Sequence, residues 1–157
     1  MDGISLKKRL STSFIIVPLL ILLLLAPQPV IMIAVMGVSV IALYEFCHAS
    51  GLTSNKKLCI TGYIAAIIIP LAEFLSVQGI QLLMYLYVLA LFILMLADSK
   101  KTTFNHIALL SMGLVYIPYF LSHIIYIRSL EYGIFYIWLV FLGACMTDTC
   151  AYFSGCL

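Results

Sequence analysis

Glu45, Glu73 and Asp148 are acidic residues set inside long apolar runs. An ionised carboxylate is expensive there, about 2.5–3.5 kcal/mol at the centre of a membrane helix on insertion scales. Side chains kept at that cost bind metals, relay protons or orient basic partners, so each is a candidate for chemistry. Asp148 is the most informative, because the ten residues from Trp138 to Thr147 that precede it carry no charge. On a helix, Asp148, Tyr152 and Gly155 fall at i, i+4 and i+7 on one face, a stripe of carboxylate, phenol and small residue. The stripe lines a cavity or it marks an interfacial acid at the end of a span, and spacing is compatible with both. Glu45 lies in Tyr44-Glu45-Phe46 near one end of its run. Glu73 lies near the end of another, where a structural carboxylate reaching headgroups is expected. Asp98, beside Lys100 and Lys101, reads as part of a solvated loop.

Other reactive side chains carry less. Cys47, Cys59, Cys145, Cys150 and Cys156 show no C-x-x-C spacing and read as small buried hydrophobes, with no disulfide expected. No pair among His48, His106 and His123 has the spacing of a shared metal site, and no nucleophile–base pair is visible. All three histidines read as interfacial packing.

The elements that hold these residues follow from composition. Of 157 residues, 65% are hydrophobic and only 9% charged, against about 25% charged in soluble domains; the mean hydropathy is +1.22. A compact soluble chain of this kind would leave much apolar surface in water. In lipid the backbone must pair within the protein, which leaves helices or closed barrels, and long unalternating apolar runs select helices. The expected fold is an all-α polytopic membrane bundle in a single transmembrane domain over 1–157. Runs near the required length of about 20 residues place six spans at about 10–26, 30–49, 58–77, 80–97, 104–127 and 133–152. Leu25-Ala26-Pro27 is a poor cleavage site, so the first run reads as an uncleaved span rather than a signal.

Positive charges orient the bundle. With the N-terminus cytoplasmic, Lys7, Lys8, Arg9, Lys56, Lys57, Lys100 and Lys101 all fall in inner segments, leaving only Arg128 outside. That is the asymmetry expected of cytoplasmic loops. A net charge of +2 with no basic stripe gives no reason to expect a nucleic-acid partner. From the residues alone the chain is a membrane bundle with one suggestive acid, compatible with a transporter, a scaffold or a lipid enzyme.

At Asp148 the sequence meets a known pattern. Thr147-Asp148-Thr149-Cys150-Ala151-Tyr152-Phe153-Ser154-Gly155 resembles the T-D-[ST]-x-A-Y-x-x-G segment of the phosphatidate cytidylyltransferases, or CDP-diacylglycerol synthases. Lys8-Arg9-Leu10-Ser11-Thr12 is similar to that family's basic-then-hydroxyl opening, and Tyr44-Glu45-Phe46 to its early E-F pair. The resemblance covers the chain as an N-terminal portion. Cys150 stands where relatives commonly have a small residue. The family's later S-P-x-K-T, K-D, H-G-G and D-R-x-D elements do not occur in these 157 residues, so the catalytic C-terminal half is expected to be missing.

The resemblance implies joining of CTP and phosphatidate to give CDP-diacylglycerol and pyrophosphate in phospholipid biosynthesis. It implies Mg²⁺ as cofactor, a possible homodimer, and a multi-pass location in the cytoplasmic membrane if the source is bacterial. Asp148 would be the catalytic acid, holding Mg²⁺ directly or through water; Tyr152, Gly155 and Thr149 would line the substrate, and Glu45 would support them. By itself the 157-residue chain is expected to be inactive. The alternatives are a noncatalytic bundle, such as a transporter subunit or scaffold, and a CTP-dependent lipid kinase.

Overall fold

A computed structural model of the protein describes residues 18–97 and 102–156, and among these every regular element is helical. Helix α1 is described over 18–25. It is followed by α2 (Gln28–Ala49), α3 (Lys56–Leu75) and α4 (Val77–Ala97), then α5 (Phe104–Ser129) and α6 (Gly133–Cys156). Helices α2, α3, α5 and α6, and the Gly79–Ala97 stretch of α4, are each long and apolar enough to cross a membrane. The chain is therefore an all-α, multi-pass membrane bundle. Lys7 to Arg9, most of the first expected span and Asp98 to Lys101 lie outside the described residues.

Helix boundaries differ from the sequence expectation for local reasons. Helix α2 begins at Gln28, ahead of the expected 30, because Pro29 fits its first turn; a proline there lacks only an N–H that has no intrahelical partner. It ends where Gly51 turns left-handed, at φ 72°. Asn55 caps α3, its side chain accepting from the Leu58 N–H at 3.4 Å, so that helix starts at Lys56 rather than 58. Ser76 alone separates α3 from α4. Its backbone is extended and its Oγ accepts the Gly79 N–H at 3.1 Å, which starts α4 near 77 instead of 80. Helix α5 contains a π turn, Val115–Tyr119, around the buried Pro118. Helix α6 runs one turn past the expected 152.

Helix α3 is the hub. It packs against α2, α4 and both halves of α5, and 44% of its apolar window is buried, against 11% for α4 and 6% for α6. Small residues allow the closest approaches, as in many membrane bundles. A Cβ on Gly62 would come within 2.9 Å of Leu110, and one on Gly113 within 2.6 Å of the Phe46 ring. Around these contacts Leu43, Cys47, Ala65, Ala66, Ile69, Leu110 and Leu114 form the core.

Two polar ties mark the ends of the bundle. Asn55 Nδ2 donates to Thr102 Oγ1 at 2.8 Å, joining the α2–α3 turn to the α4–α5 connection. Arg128 donates to the Ala26 carbonyl at 3.4 Å, joining the end of α5 to the α1–α2 turn. Successive helices thus run up and down. The end that carries Lys56 and Lys57 is also where α6 finishes.

Candidate functional site

Helix α6 packs only through its first half. Gly133 and Ile137 are buried and Trp138 and Phe141 half-buried, whereas every residue from 142 to 155 is exposed. Within that open stretch the hydroxyls turn back onto their own helix. Thr147 Oγ1 donates to the Gly143 carbonyl at 2.8 Å and Thr149 Oγ1 to the Cys145 carbonyl at 2.7 Å. Intrahelical back-bonding of this kind satisfies a hydroxyl where water is scarce. Asp148 stands between them, exposed, and no hydrogen bond or ion pair engages its carboxylate among the described residues.

The helix is continuous, so Asp148, Tyr152 and Gly155 do share one face as the spacing requires. Tyr152 and Phe153 are both exposed, with ring centroids 6.0 Å apart in an edge-on arrangement. Among the described residues nothing lies within 4 Å of where a Cβ on Gly155 would stand, so it offers open space rather than a packing contact. Thr149 lies one residue round the helix from Asp148. Because α6 extends to Cys156, Asp148 sits eight residues, about 12 Å, from the helix end, twice the depth that an end at Tyr152 implies.

Glu45 is exposed on α2 toward the same end of the bundle, and no hydrogen bond or ion pair joins it to Asp148. Glu73 does not reach toward headgroups. It is 5% exposed, its Oε2 has no hydrogen-bond partner, and His123 of α5 acts on it electrostatically. His123 is itself held by Nδ1 at 2.8 Å from the Tyr119 carbonyl. His106 belongs to the start of α5, its Nδ1 accepting the Thr103 N–H at 3.4 Å. Cys47 and Cys59 are buried in the core, as expected of small hydrophobes, whereas Cys145 and Cys150 are exposed on the open half of α6.

Among the described residues no group of three or more His, Cys, Asp or Glu side chains is placed to hold a metal ion. Mg²⁺ usually keeps several waters and takes one or two carboxylates together with substrate phosphate oxygens. Asp148 therefore fits as one carboxylate of a site that substrate and further ligands would complete. What the arrangement offers is an acid two turns inside an apolar helix, on a face that lipid can reach sideways.

The model of the cytidylyltransferase family matches residues 7–157 of this chain, which takes in the Asp148 segment. No curated protein and no solved structure matches the chain.

Proposed function

The chain belongs to the cytidylyltransferase family, and on that premise we propose that it acts as a phosphatidate cytidylyltransferase, with CTP and phosphatidate as substrates. A phosphate oxygen of phosphatidate attacks the α-phosphorus of CTP. The new P–O bond gives CDP-diacylglycerol, and the bond to the bridging oxygen breaks, releasing pyrophosphate with its electron pair. The observation that carries this reading is the position of Asp148. A lipid substrate arrives within the membrane and a nucleotide from water, so the acid has to be open to lipid on one side and near an aqueous end. Asp148 is open sideways on the half of α6 nearer the end that carries Lys56 and Lys57, about 12 Å from the end of the helix, a depth that supports access from both sides.

Both reactants are anionic, so the reaction needs charge neutralisation at the transferring phosphorus. Mg²⁺, when bound, would supply much of that neutralisation. Asp148 would act as one carboxylate holding it, directly or through water, or would orient a basic side chain toward the phosphates. Tyr152 and the open space at Gly155 lie on the same face, where they would border a bound headgroup, with Thr149 beside them. Among the described residues this face supplies one acid and no adjacent cation, so the 157-residue chain by itself is expected to turn over CTP slowly or not at all.

The test is product formation in membranes from cells that express the source gene in full. With labelled CTP and added phosphatidate, CDP-diacylglycerol should form, and Asp148→Asn should lower the rate on the order of 100-fold. A phosphorylated lipid in place of CDP-diacylglycerol would identify a lipid kinase. Absence of any CTP-dependent product would support a noncatalytic bundle.

A further inference from the structure

The end of the bundle opposite Asp148 holds a second polar feature. Helix α5 carries Arg128 in its last turn and ends at Ser129, and α6 opens at Gly133, with Glu131 and Tyr132 in the turn between. Gly133 is pressed against carbonyls in the last turn of α5, those of Ile127 and Arg128, so the turn is tight and its side chains are held close together. Beside it opens a cavity of about 470 Å³ whose lining includes Arg128, Glu131, Tyr132, Phe135 and Trp138. The chain's one tryptophan is therefore here.

The charges in this cavity are only partly used. The Arg128 guanidinium has five N–H donors in a planar fork. One of them makes a long bond to the Ala26 carbonyl at 3.4 Å. Glu131, three residues further on and exposed, makes no ion pair with it. A cation and an anion on one rim that do not neutralise each other match a ligand carrying both signs. Below the rim, Trp138 lies five residues, about 8 Å, into α6, and Ile134, Phe135, Leu139 and Leu142 present an exposed apolar face.

We infer that this cavity binds the headgroup of a zwitterionic phospholipid bearing an ammonium group. The lipid phosphodiester takes the free donors of Arg128, a charge-assisted contact that a guanidinium fork makes well. The ammonium sits between Glu131 and the aromatic faces of Tyr132, Phe135 and Trp138, which attract a cation through their ring quadrupoles. The acyl chains run down the apolar face of α6. An anionic headgroup would keep the Arg128 contact but would meet Glu131 as a like charge, so the site discriminates by headgroup. It is separate from the proposed transfer site, at the other end of the same helix.

The test uses the full chain, purified in detergent and stripped of lipid. Binding is read by native mass spectrometry and by the fluorescence of Trp138, with phosphatidylethanolamine and phosphatidylglycerol as probes. Wild type should bind phosphatidylethanolamine several-fold more tightly, with a Trp138 spectral shift on binding. Arg128→Gln should weaken both lipids about tenfold or more. Glu131→Gln should abolish the preference while leaving phosphatidylglycerol bound at least as well as before. Glu131→Gln removes no hydrogen bond or ion pair among the described residues, so it reads the site even if Arg128→Gln unfolds. Equal binding of the two lipids by wild type, or a preference that survives Glu131→Gln, would overturn the assignment. So would full competition by water-soluble glycerophosphoethanolamine, which would mark a site for a free headgroup rather than for lipid.

Discussion

Glu73 holds a carboxyl group among buried side chains, with one oxygen unpartnered and His123 as its electrostatic neighbour. A buried polar atom without a partner costs free energy that its removal can recover. Glu73→Gln keeps the shape and discards the charge, so it should change stability in detergent by no more than about 1 kcal/mol. Thermal unfolding followed by intrinsic fluorescence would measure it, and a loss well beyond that would show that the Glu73–His123 pair holds α3 against α5 as charges. Of the three intramembrane acids, Asp148 was legible in the sequence, because an uncharged run of ten residues isolates it. The burial of Glu73 was not, since which side of α3 faces inward depends on where α2 and α5 pack. That Arg128, Glu131 and Trp138 line one cavity was equally hidden. The available signal was the chain's one outward cation lying ten residues before its one tryptophan.

At the scale of elements, close contacts decide which glycines can be replaced. A Cβ on Gly133 would strike the backbone carbonyls of Ile127 and Arg128, which cannot turn aside as a side chain would. A Cβ on Gly37, in the middle of α2, would meet no other element within 4 Å among the described residues. Gly133→Ala should therefore destabilise the protein by about 1–3 kcal/mol, whereas Gly37→Ala should be neutral or stabilise by up to about 1 kcal/mol through helix propensity. Parallel melting curves of the two variants would check the contrast, and equal effects would show that the α5–α6 turn is looser than described. Helix positions were readable from apolar runs, but their ends were set by short polar interactions. Asn55 and Ser76 cap their helices through single hydrogen bonds, and Pro29 enters α2 instead of stopping short of it. Apolar content carries no trace of such choices. The π turn in α5 was also not anticipated, although Pro118 lies within it.

For the whole molecule, the Asn55–Thr102 and Arg128–Ala26 ties define two ends, and the positive-inside tendency predicts that the end bearing Lys56 and Lys57 is the cytoplasmic one. A cysteine placed at Lys56 should accordingly resist a membrane-impermeant thiol reagent in intact cells and react once the membrane is opened. Labelling from outside would invert the bundle and set the Asp148 end facing away from cytoplasmic CTP. The alternation of helices was plain from the sequence because the loops are short, whereas the openness of α6 was not, since its mean hydropathy of 1.6 is close to the 1.7 of the far better buried α5. The π turn Val115–Tyr119 has a consequence of a different kind. A helical turn that takes in an additional residue preserves, within a working protein, the mark of an insertion. Cytidylyltransferases whose fifth helix is regular throughout should then align with this chain only across a one-residue gap between 115 and 119. Deleting one residue there should return the turn to regular α geometry and leave Ser122 and Ile125 buried in the bundle, whereas the same deletion in a regular stretch of α5 would rotate everything after it by about 100°.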